Sequence, residues 1–148
     1  MAKIEKIFGL IVLVSLLLLF LSVPGARFLL VLSLIALSLV YFFFGILVFN
    51  KIRVANVFKK SSYKGLSSFE ILGSLIFGFT ISLGCLGILF KIQNWQGASS
   101  VLITGLLCLL INLIIAGMKY FVSHQDFPLK ILIRTGIVGG IGLLVQLI

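Results

Sequence analysis

Four segments of this chain, residues 7–23, 28–49, 71–90 and 101–118, contain no charged residue. Each approaches the ~20 apolar residues that an α-helix needs to cross a hydrocarbon layer of ~30 Å. A fifth segment, 129–148, carries Lys130 and Arg134 near its start and is otherwise apolar. The expected fold is all-α: one transmembrane domain over residues 1–148, a bundle of five spanning helices at about 7–23, 28–49, 69–90, 99–120 and 129–148. Composition agrees, because no soluble core needs 61% hydrophobic residues with only 10% charged ones.

A formal charge of +9 suggests nucleic acid when the chain is soluble. Here the cations cluster by loop, as topology signals do. With the amino terminus cytoplasmic, ten of the twelve Lys and Arg fall on the inner side, and Arg27 and Lys91 alone fall outside. This orientation expects a multi-pass protein of the bacterial inner membrane with Ile148 on the periplasmic side, and needs no nucleic acid partner. Lys3 and Lys6 before an apolar run also resemble a secretory leader. Pro24 fits the small-x-small rule poorly for a cut after Ala26, so the first helix is expected to be retained as an anchor.

Cys85 and Cys108 both fall inside expected spans, where a thiol behaves as a small hydrophobe. With no CxxC and one histidine, neither a metal site nor a cofactor is expected. Catalysis is not expected either. Ser123, His124 and Asp126 are close in sequence, but neighbours in one loop rarely converge into a catalytic geometry, and a solvated turn before Pro128 explains them.

The loop at 50–66 is the longest polar connection. Val54, Val57 and Phe58 interleave with Lys51, Arg53, Lys59 and Lys60, and Lys64 follows. The spacing fits a short helix lying on anionic headgroups, and it fits equally an ordinary basic loop that sets topology. Ser67 and Glu70 then read as a capping box, starting the third helix just after Ser67.

Three helices carry small or polar residues at four-residue spacing: Ser74, Gly78 and Ser82 on the third, with Thr80 and Gly84 beside them; Thr104, Cys108 and Asn112 on the fourth; Gly136 and Gly140 on the fifth. In lipid, close approach at small residues and interhelical hydrogen bonds drive association. A compact bundle or an oligomer packed through these faces is expected, with Asn112 bonding across to a neighbouring helix.

The two outer turns look alike. Phe20 matches Phe90, and Pro24-Gly25-Ala26 matches Gln96-Gly97-Ala98 once two residues are inserted. The match implies two copies of one hairpin with a fifth helix appended, against chance agreement in a leucine-rich chain.

The second turn is the more distinctive: Gly87-Ile88-Leu89-Phe90-Lys91-Ile92-Gln93-Asn94-Trp95-Gln96-Gly97-Ala98. It resembles a motif of the GldL family, inner-membrane subunits of the gliding-motility and type IX secretion motor, where a stretch of roughly G-x-L-F-K-I-x-H-(W/F)-P-G-A closes the outer end of a helical hairpin. Asn94 stands where that family has histidine, and Gln96 where it has proline. The family's intramembrane glutamate would fall, counted without gaps from Gly105, at Leu109. The resemblance implies hairpin geometry and a partner-binding role for Lys91, Gln93, Asn94, Trp95, Gln96 and Gly97, and argues against energy conversion by this chain alone. Physically the motif suits an interface anchor: an indole at headgroup level, and a lysine whose stem lies along the helix end.

The expected function is that of an accessory or scaffold subunit packing against other membrane subunits, of an envelope motor, secretion or transport complex. The alternative is a homo-oligomeric channel or small-molecule transporter.

Overall fold

The computed structural model describes residues 2–147 other than 51, 53, 57, 124 and 125. Five helices follow in order: α1 Ala2–Phe20, α2 Ala26–Phe49, α3 Ser68–Ile92, α4 Ala98–Ser123 and α5 Asp126–Leu147, with no strand among the described residues. The helices α2 to α5 are each long and apolar enough to cross a membrane. This is an all-helical bundle with the build of a multi-pass membrane protein.

The first helix departs from expectation at both ends. Lys3, Glu5 and Lys6 lie inside α1 rather than before it, and the helix stops at Phe20. Its uncharged part, residues 7–20, is roughly 21 Å long at 1.5 Å per residue, short of a full hydrocarbon layer. At the other end of the chain, Pro128 lies in the first turn of α5, where a missing N–H costs nothing because those donors have no intrahelical partner. The third helix starts as its sequence prescribes: the Glu70 amide donates to Ser67 Oγ at 3.2 Å, and the Ser67 amide donates to Glu70 Oε2 at 2.8 Å.

The third helix is the hub, packing against α2, α4 and α5, while α1 packs on α2 and α4 on α5. The stripe Ser74, Gly78, Ser82 is buried, and the helix it meets is α2. Ser38 and Ser82 share a hydrogen bond of 2.7 Å, and Asn50 Nδ2 donates to Ser74 Oγ at 2.7 Å. Between them the backbones nearly touch. A Cβ on Gly78 would sit 2.6 Å from the Tyr41 carbonyl oxygen and 3.1 Å from Gly45 Cα. Here α2 departs from helical geometry, at Phe44 with φ −120° and ψ 17°, beside the glycine that permits the contact.

The other side of α3 meets α4. A Cβ on Gly105 would lie 3.2 Å from Gly84 Cα, and one on Gly87 would lie 2.8 Å from Leu102 Cα. Asn112, buried, donates its amide to Thr80 Oγ1 across the same interface. Thr104 does not join it. That hydroxyl is exposed and bonds back to the Ser100 carbonyl at 2.8 Å, while Cys108 is half-buried.

The GxxxG of α5 does not pack tightly within the bundle. A Cβ on Gly136, Gly139 or Gly140 would meet nothing within 4 Å, and Gly136 and Gly140 are exposed. Gly142, two residues on, is the packed one, with Leu106 Cδ2 at 2.9 Å from its would-be Cβ.

Both turns close their helices with the same Schellman arrangement, in which the left-handed residue follows the helix and two amides reach back. In the first, Ser22 (φ 55°) donates to the Leu19 carbonyl and Val23 to Leu18; in the second, Asn94 (φ 53°) donates to Lys91 and Trp95 to Phe90. The following bonds match as well: Ala26 to Val23 and Leu29 to Gly25, against Ala98 to Trp95 and Val101 to Gly97. The register holds throughout without any insertion. It pairs Leu18, not Phe20, with Phe90, and Ser22 with Asn94. Burial agrees in this register at Val12 and Gly84, Leu30 and Leu102, and Leu37 and Leu109, and differs where Leu17 is exposed against buried Leu89 and Phe49 is buried against exposed Phe121. The two turns therefore share one hydrogen-bond pattern residue by residue, while the helices they join differ in which faces they bury. One consequence is testable. Serine at a left-handed position carries a Cβ penalty that glycine lacks, so Ser22→Gly is expected to stabilise the fold by about 1 kcal/mol, read as a raised unfolding midpoint in detergent.

The basic loop does not hold an α-helix among its described residues. Two short 3-10 turns occur, Val54–Asn56 and Lys60–Tyr63, and Phe58 is fully exposed. Too few residues lie between Asn50 and Ser67 for an isolated helix to repay its nucleation. Lys59 and Lys64 are exposed; Lys51, Arg53 and Val57 lie outside the described residues, as does the side chain of Lys60.

Candidate functional site

The turn between α3 and α4 is held by contacts on both sides. Trp95, half exposed, packs its ring edge-on to Phe90 with centroids 4.7 Å apart, the apolar contact that accompanies a Schellman closure. Gln93 caps α3 and is half-buried, whereas Asn94, Gln96 and Gly97 are exposed. The left-handed φ of 78° at Gly97 turns the chain into α4. Lys91 Nζ reaches across to Ser99 Oγ at 3.5 Å. The motif therefore presents an indole edge, two amides and a tethered cation on a fixed frame.

Beside this turn lies a cleft of about 510 Å³ between the ends of α1, α3 and α5. A second cleft, of about 400 Å³, separates α4 from α5 and is lined by Leu106, Leu110, Gly136, Gly140 and Leu143 among others. The exposed glycines of α5 thus lie along a groove, not a helix–helix contact inside the bundle.

The most polar cluster in the interior was not anticipated from sequence. Glu5 is 7% exposed. It accepts from Tyr41 Oη at 2.6 Å and from Arg134 Nη2 at 2.8 Å, and Arg134 Nε donates to its other oxygen in a two-pronged pair. Arg134 also donates to the Lys130 carbonyl at 3.3 Å and lies 5.2 Å from the Phe49 ring centroid. Glu5 precedes the first expected span, at 7–23, and Arg134 lies near the start of the fifth. The structure turns both inward, so that α1, α2 and α5 are joined by one charged network. A signal existed: an arginine two turns inside an apolar helix requires a compensating acid, and the chain has only three. Glu70 is engaged in its capping box and Asp126 begins α5 itself, eight residues before Arg134.

Of the residues singled out in the fourth inter-element segment, His124 lies outside the described residues, as does the side chain of Ser123; Asp126 opens α5. Among the described residues no three His, Cys, Asp or Glu side chains gather in a way that could hold a metal ion.

Comparison with protein-family models, with curated proteins and with solved structures finds no match to this chain.

Proposed function

We propose that this chain is a small multi-pass subunit of the bacterial inner membrane that works by packing against other membrane subunits, with all five helices crossing the bilayer and the Trp95 turn facing the periplasm. The observation that carries this reading is the α4–α5 side. Only 28% of the most apolar window of α4 is buried, against 50% for α2 and for α3, and the groove beside it is floored by glycines with no atom within 4 Å of an added Cβ. Small residues in an open apolar groove let a further helix approach closely, which is how helices associate in lipid. The rigid Trp95 turn supplies a second contact at the interface level, in keeping with its resemblance to the GldL-family hairpin end.

Purified in mild detergent, the wild-type chain is expected to bring down the same membrane subunits in fixed stoichiometry. A Gly136→Ile, Gly140→Ile double variant is expected to keep its own helicity and unfolding midpoint and to lose those subunits. If the chain instead purifies as a homo-oligomer that passes ions in liposomes, the channel reading replaces this one.

A further inference from the structure

We propose that the cleft at the Trp95 end of the bundle is a binding site for an anionic membrane lipid, with an acyl chain between α1, α3 and α5 and the phosphate between Arg27 and Lys91. The cleft's volume, about 510 Å³, falls within the roughly 300–1,000 Å³ of sites that hold small ligands. Its walls are apolar, from Leu16 on α1, Ile92 on α3, and Ile141 and Val145 on α5. Its polar lining comes from Arg27, Lys91 and Asn94, two cations and one neutral amide.

Charge selects the occupant. The chain has three acids, Glu5, Glu70 and Asp126, and all three lie in the first turns of α1, α3 and α5, at the other end of these helices from the cleft. Among the described residues nothing anionic lines the cleft to compete for Arg27 and Lys91. Three helices, α1, α3 and α5, end there, and their last carbonyls oppose an anion; those of Leu18, Leu19, Phe90 and Lys91 already accept from turn amides, which leaves the end of α5 for the two cations to outweigh. Lys91 is pinned near Ser99 by one of its three donors, leaving the others for a headgroup. A cleft with apolar walls and two cations in its lining matches an amphiphile with one negative end, which distinguishes this site from a generic lipid-facing surface. The inference stands apart from the subunit reading, which rests on the α4–α5 groove.

The test uses the full-length protein in neutral detergent, titrated with phosphatidylglycerol or phosphatidylcholine of identical chains and followed by native mass spectrometry. Phosphatidylglycerol is expected to bind roughly tenfold more tightly or better, at about 1 kcal/mol for each cation near the headgroup. An Arg27→Gln, Lys91→Gln double variant is expected to lose that preference with its helicity unchanged, while Lys59→Gln, Lys64→Gln retains it. Leu144→Trp, which narrows the cleft from an exposed position, is expected to weaken both lipids. Equal binding of the two lipids, a preference that follows the loop lysines instead of the cleft, unchanged binding by Leu144→Trp, or displacement of the lipid by millimolar inorganic phosphate alone would each overturn the assignment.

Discussion

Replacing Arg134 with leucine is expected to destabilise the protein by about 3–5 kcal/mol, because it leaves the buried Glu5 carboxylate without its two-pronged arginine partner. The measurement is an SDS titration in mixed micelles, followed by far-ultraviolet circular dichroism and by Trp95 fluorescence. The loss reflects an uncompensated charge more than the worth of the pair. A triple variant, Glu5→Leu, Tyr41→Phe, Arg134→Leu, removes every member of the network and is expected to recover most of the midpoint. An Arg134→Leu protein as stable as the wild type would mean that α1 is held to α2 and α5 by packing alone.

The second large effect is at the α2–α3 crossing. Gly78→Leu cannot be accommodated by a shifting side chain, since the atoms facing its Cβ are the Tyr41 carbonyl oxygen at 2.6 Å and Gly45 Cα at 3.1 Å. The helices must separate, which also breaks the Ser38–Ser82 and Asn50–Ser74 bonds on either side. Alanine at the same position is expected to cost about 1–3 kcal/mol, and leucine to prevent recovery of folded protein. Gly140→Leu provides the contrast. It adds the same volume where no atom lies within 4 Å, so its midpoint is expected to stay within about 0.5 kcal/mol of the wild type. Equal tolerance at the two positions would show that α2 and α3 do not approach as described.

Much of the turn chemistry was legible beforehand. Ser67 and Glu70 announced the start of α3, and Gly25 and Gly97 marked the reversals, because each acts through bonds to its own neighbours. The hairpin repeat was half legible. The glycines and alanines aligned correctly, but matching Phe20 to Phe90 by ring type required an insertion that the backbone does not contain. What repeats is the pattern of reaching amides, which depends on backbone angles and tolerates Ser22 against Asn94.

The faces that meet were only partly legible: Asn112 does bond across to α3, but small residues alone did not tell a buried face from an open one. Glycines of one spacing lie buried against backbone at Gly78 and open to the outside at Gly140. In water, a polar stripe would separate the inner face of a helix from the outer one; in lipid both faces are apolar, and periodicity carries no such label. Local physics, read along the chain, therefore determined the helices, the polar ends and the sharp turns between them. Only the folded bundle decided that α3 turns Ser74, Gly78 and Ser82 towards α2 and that Glu5 finds Arg134 129 residues away, because partner choice rests on complementary shape and charge between surfaces that hydropathy describes identically.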